Sequence, residues 1–195
     1  MSGRHAEVLR RLDDDHAFFA EHAVQIVAAD GRVVPLVPKR AQREMFAAAE
    51  AQRAAGRPMR LIILKARKLG FSTAGVSMVV QRATRKPNHH ALIVGQDART
   101  AAELGNMAEF MYNRLPAEIK PPLANWSRGD GKGYFYFGEP SRQLRARGEV
   151  GLNSSIRIDN AKERDAGRGF TYRTLLLTEV AFWPDEGKLL ALLNA

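Results

Sequence analysis

Leu61-Ile62-Ile63-Leu64-Lys65-Ala66-Arg67-Lys68-Leu69-Gly70-Phe71-Ser72-Thr73 runs from an apolar stretch, through a basic turn, into a segment of helical composition. Its pattern predicts a strand over Met59 to Leu64, of the continuous apolar kind found in parallel sheets, then a loop, then a helix from Ser72 to Arg85 that Lys86-Pro87-Asn88 stops. A phosphate-binding loop, G-x-x-x-x-G-K-[ST], occupies such a setting. Its backbone N–H groups wrap the phosphates, its lysine reaches the β/γ oxygens and its hydroxyl holds Mg2+. Here Gly70 and Ser72 fall on the last glycine and the hydroxyl, while Lys65 stands at the first glycine and Phe71 at the lysine. The competing reading is a basic strand-to-helix turn with Ser72 or Thr73 as helix N-cap.

Outward from the loop, the chain alternates between two hydrophobic periods. Residues 6–29 carry helical spacing, with Asp13, Asp14 and Asp15 as cap and first-turn residues, and Asp30-Gly31 marks a turn before the short run Val33 to Val37. A helix is expected from Pro38 to about Ala55, ended by Gly56-Arg57-Pro58. After the loop and its helix come a strand, His90 to Gly95, and a helix, Asp97 to Leu115, closed by Pro116. Pro121 to Gly133 reads as loop. Tyr134–Phe137, Gln143–Arg145 and Ser155–Ile158 read as shorter strands, and Lys188 to Asn194 as a last helix. Alternating strands and helices predict an α/β fold, a three-layer sandwich around a mostly parallel central sheet.

A hundred residues beyond the loop, Thr174 to Leu177 forms a short β-like run that delivers Thr178-Glu179. A carboxylate at the C-terminal end of a buried parallel strand can orient the water that attacks a γ-phosphate. The usual aspartate before it, which holds Mg2+ through water, is here Thr178, a neutral hydroxyl. The alternative for Glu179 is an exposed strand end.

Thirty Lys and Arg stand against 21 Asp and Glu, a net charge of +9 that is unevenly spread. Lys39 to Lys68 holds nine basic residues against Glu44 and Glu50, and Arg128 to Arg173 holds ten against six. Such bias favours a polyanionic partner, nucleotide phosphate or nucleic-acid backbone. The linear sequence shows no aromatic ladder or RNP-type motif, so base-specific reading lacks support. Without cysteine there are no disulfides or thiolate metal sites, and the five histidines lack ligand spacing. No run is long enough to span a membrane and no secretory signal opens the chain, so an intracellular protein is expected.

Taken in order, these pieces resemble the ATPase domain of the large terminase subunit, the motor that pumps DNA into tailed-phage capsids. The resemblance covers roughly Asp13 to Ala195 and rests on P-K-R-A-Q at Pro38–Gln42, K-A-R-K-L-G-F-S-T at Lys65–Thr73, A-L-I-V-G-Q-D-A-R-T-A-A-E-L, S-I-R-I-D-N-A followed by G-R-G-F-T, and L-L-L-T-E-V-A-F-W. It implies a P-loop (RecA/ASCE-like) core over residues 38–195, with residues 1–37 as a lead-in packed on it. By the same token the chain stops after the Walker B strand, before the coupling motif and the nuclease domain. The ATP-binding residues implied are Gln42 as adenine reader and Lys65, Ala66, Arg67, Lys68, Leu69, Gly70, Phe71, Ser72 and Thr73 around the phosphates. Lys65 is the displaced phosphate lysine, with Lys68 its competitor. Glu179 and Arg67 are the catalytic pair, the other reading of Arg67 being a DNA-facing or salt-bridged surface arginine. Ser72, and Thr178 through water, would serve Mg2+, and Arg128 is the candidate arginine supplied to a neighbouring subunit. Partners implied are double-stranded DNA, the portal protein, the small terminase subunit and further copies in a pentameric ring, with a monomer in isolation, in the cytoplasm of an infected bacterium and away from membranes. Other readings are a helicase-like P-loop ATPase, or a basic DNA-binding or assembly module whose nucleotide site has decayed.

Overall fold

The computed structural model describes residues 3–66, 68–129, 131–163, 166–167, 170–184 and 186–193. Two N-terminal helices, α1 (Gly3–Asp14) and α2 (His16–Ala23), are separated by Asp15, whose carboxylate accepts from the Phe18 N–H and so caps α2. A small antiparallel hairpin follows, β1 (Gln25–Val27) with β2 (Val33–Pro35), then α3 (Arg40–Ala54), α4 (Phe71–Arg85), β3 (His90–Gly95) and α5 (Ala98–Asn113). The second half contributes β4 (Leu123–Gly129), β5 (Lys132–Phe137), the short α6 (Arg142–Ala146), β6 (Ser154–Asn160), β7 (Thr174–Leu177) and α7 (Glu186–Leu193). The central sheet has five strands in the order β4-β5-β6-β3-β7. Strand β3 pairs in parallel with β6 and β7, and β5 pairs antiparallel with β4 and β6, so β4, β6, β3 and β7 run in one direction and β5 runs against them: the sheet is mixed, with most of its strands parallel.

The main core lies on one face of this sheet. Ala91, Ile93, Phe135, Phe137, Ile156 and Ile158 point from the strands toward Val76, Val79, Val80, Ala101, Leu104, Ala108 and Met111 of α4 and α5. Phe19 and Ala20 of α2 and Phe46 and Ala49 of α3 belong to the same cluster. On the other face a smaller cluster joins Leu92 and Val94 to Ala161 and Leu192 of α7, with Leu175, Leu177 and Trp183 beside it. Helical material on both faces makes the architecture compatible with a three-layer α/β fold. No helix among the described residues is long and apolar enough to cross a membrane.

Four segments depart from the sequence reading. The expected strand over Met59 to Leu64 is not one: residues 57–66 have no regular structure, and Ile62 and Leu64 are 103% and 102% exposed. Gln52 supplies a reason, since its side-chain amide accepts from Arg60 N (2.7 Å) and donates to Arg60 O (3.1 Å), taking the main-chain bonds that a neighbouring strand would make. The loop expected over Pro121 to Gly133 contains β4, paired with β5 across a turn at Gly131. The Asp130-Gly131 dipeptide was the sequence signal for this hairpin. Gln143–Arg145 is helical because Ser141 caps the Leu144 N–H (3.3 Å). Helical spacing over residues 6–29 resolves into α1, α2 and β1.

Candidate phosphate site at the head of α4

Helix α4 leads into β3 and therefore runs antiparallel to it, which places its first turn at the edge where β3, β6 and β7 end. Lys68 (φ 63°) and Gly70 (φ 76°) both adopt the left-handed region and turn the exposed loop into the helix. Gly70 is the N-cap, so Ser72 and Thr73 lie inside the first turn, partly buried, rather than at the cap. A glycine cap has no side chain to accept the first-turn N–H groups, and that turn carries no acidic residue. Free N–H groups and the positive end of the helix dipole favour an anion there.

The position needs glycine twice over. Its φ is positive, and a Cβ would stand 2.6 Å from the Gln42 amide nitrogen. Gln42 is only 3% exposed; its Nε2 donates to Gly70 O (2.8 Å) and its Oε1 accepts from Lys39 N (2.8 Å). The residue implied as an adenine reader thus ties the start of α3 to the start of α4. Lys65, Ala66, Lys68 and Leu69 are exposed, and Phe71 packs partly buried against the main core. Arg67 lies outside the described residues.

Strand β7 brings Thr178 and Glu179 to the same edge. Thr178 donates from both its N–H (3.0 Å) and its hydroxyl (3.2 Å) to Val94 O, and its own carbonyl accepts from the Trp183 indole (3.0 Å). These bonds hold the chain as Glu179 turns left-handed (φ 54°, ψ 37°) with its carboxylate exposed. A bulky residue in this region costs about 1–2 kcal/mol, and such strain concentrates at functional sites. Gly75 sits against Leu176, where a Cβ would come within 2.9 Å of Leu176 Cδ1. From that contact Gly70 is roughly 8 Å away along the helix. Glu179 is roughly 10 Å away along the strand. The head of α4 and Glu179 therefore flank one end of the sheet.

Arg128 is on β4, at the opposite side of the sheet from β7, with its guanidinium on Glu109 of α5 (2.6 Å). Among the described residues no cluster of His, Asp or Glu could hold a metal ion. Oxygen atoms at this end of the sheet include the Ser72 and Thr73 hydroxyls in the first turn of α4, the Thr178 hydroxyl and the exposed Glu179 carboxylate. Sequence reasoning missed the Gln42 clamp and the left-handed Lys68, because neither leaves a periodic signal. No protein-family model matches the chain, and no curated protein is found to be similar to it.

Proposed function

We propose that this chain is an ATP-hydrolysing motor domain of the DNA-packaging terminase type, taking the phosphates of ATP at the head of α4. The observation that carries the reading is the placement, at the same end of the sheet, of an uncapped helix N-terminus behind a left-handed glycine and a carboxylate on a left-handed strand end. First-turn N–H groups and the ammonium of Lys65 would bind phosphate, with Lys68 able to replace it. The Ser72 hydroxyl would hold Mg2+, which when bound neutralises phosphate charge. Glu179 would accept a hydrogen bond from the attacking water and aim it in line, and Arg67 would face the γ-phosphate. Translocation of double-stranded DNA into a procapsid, and assembly with the portal protein, the small subunit and further copies, complete the proposal.

One finding favours a second reading. The apolar run before the loop stands outside the sheet, as it would in a basic DNA-binding module whose nucleotide site has decayed. Calorimetry with Mg·ATPγS separates the two. Micromolar binding that Lys65→Ala abolishes, together with a Glu179→Gln variant that binds ATP without turning it over, is the expected result. Salt-sensitive DNA binding with no nucleotide affinity would establish the decayed module, and hydrolysis retained in Glu179→Gln would remove Glu179 from its role.

A further inference from the structure

The half of the sheet formed by β4, β5 and β6 has two unlike faces. Along β5, Gly133, Phe135 and Phe137 are buried beneath α5, so Tyr134 and Tyr136 point the other way, where both are partly exposed. Pairing register sets Tyr134 between Ser127 and Arg157, and Tyr136 between Asn125 and Ser155. The two tyrosine rings lie 6.5 Å apart and 11° from parallel. Arg157 carries its guanidinium 4.8 Å from the ring centre of Phe170, which is 47% exposed and itself 6.2 Å from Tyr172. Aromatic rings and a cation thus line one open surface. Beside it lies a cavity of about 480 Å³ lined by Ser127, Lys132, Tyr134, Arg157, Asp159 and Glu163.

The charges on this surface are already partly settled. Lys132 pairs with Glu163 (3.1 Å), and the Asp159 carboxylate accepts from the N–H groups of Asn160 (2.9 Å) and Gly167 (3.3 Å). Arg157 has no ion pair among the described residues, which leaves its charge for a ligand. Near-parallel rings at successive outward positions of one strand offer platforms for successive bases, and a guanidinium beside them suits a phosphate or a base face. A duplex keeps its base faces inside the stack and cannot use such platforms.

We propose that this face binds single-stranded nucleic acid, with Tyr134 and Tyr136 stacking on bases and Arg157 contacting the backbone. The surface lies opposite α4 and α5, so the proposal stands independently of the nucleotide site. Fluorescence anisotropy of labelled oligo(dT) with the whole chain tests it. The double variant Tyr134→Leu/Tyr136→Leu, which keeps apolar bulk, should raise Kd by about tenfold or more. Arg157→Ala should weaken binding and lower the slope of log K against log salt by about one. Unchanged affinity in folded variants, no binding by the wild-type chain, or an equal loss of affinity for a duplex of the same length in the tyrosine double variant would each overturn the proposal. Photocrosslinking of the wild-type chain to an iodouracil-containing oligonucleotide needs no variant. Adducts at Tyr134 or Tyr136 support the assignment, and adducts confined to other surfaces refute it.

Discussion

Replacing Gly70 by alanine should injure this protein through two separable effects. The first is backbone strain, since alanine at φ 76° costs about 1–2 kcal/mol. The second is the Gln42 clamp: a Cβ 2.6 Å from the amide nitrogen forces the buried side chain aside and disrupts its bonds to Gly70 O and Lys39 N, each worth about 1 kcal/mol. Gly70→Ala should therefore lose about 3 kcal/mol, which for a chain of this length is roughly a 10 °C fall in Tm. In a Gln42→Ala background the clash is gone and only the backbone cost remains. Urea denaturation of the wild type, both single variants and the double variant closes the cycle, with an expected coupling of about 2 kcal/mol. Additive single effects would refute the clamp. If phosphate binds at the head of α4, affinity for Mg·ATPγS should fall in Gly70→Ala as well, because the turn that presents the first N–H groups has moved.

The exposed run before the loop yields a prediction of near silence. Ile62→Ser and Leu64→Ser should each change stability by less than about 0.5 kcal/mol, whereas a packed strand residue would lose about 1.5–3 kcal/mol on exposure, so a large loss in the same melts would show the run buried in solution. Acid should weaken the fold through buried histidine. Burial, and then the nearby Arg82, pushes His16 from 6.5 down to about 3, and the same two causes push His89 to about 4. Because both folded values lie below the unfolded one, the unfolded chain binds more protons between about pH 6.5 and pH 3, so stability falls as pH drops through that window. At pH 5 the His16 contribution alone is about 2 kcal/mol, and a urea midpoint that does not move between pH 7 and pH 5 would contradict it.

Much of the fold was legible because burial leaves a period. The helical spacing of Phe71–Arg85 and Ala98–Asn113 and the unbroken apolar run Ala91–Val94 within β3 follow from packing on a sheet covered by two helices. The places of Gly70 and Glu179 in the fold were legible from punctuation, a glycine before a helix and a carboxylate after a strand. What failed was the inference from apolar composition to pairing at Leu61–Leu64. Hydrophobic residues state a preference for burial, but a strand also needs a partner for its main chain, and Gln52 supplies that partner at Arg60 from outside the sheet. The aromatic face was written into Lys132–Phe137 as strict alternation of tyrosine with glycine and phenylalanine. Its meaning depended on which side α5 would cover, and that is a tertiary fact.

Strand β7 is four residues long and stands at the rim of the sheet, bonded on one flank only among the described residues. Glu179 therefore projects from a cantilever whose root is the ladder to β3 and whose tip is braced by Thr178 on Val94 and Trp183 on Thr178. A cantilever is stiffened or bent by whatever grips its free side. The direction in which the carboxylate projects is thus adjustable by any main chain that docks along that rim, with no substitution at Glu179 or at the head of α4.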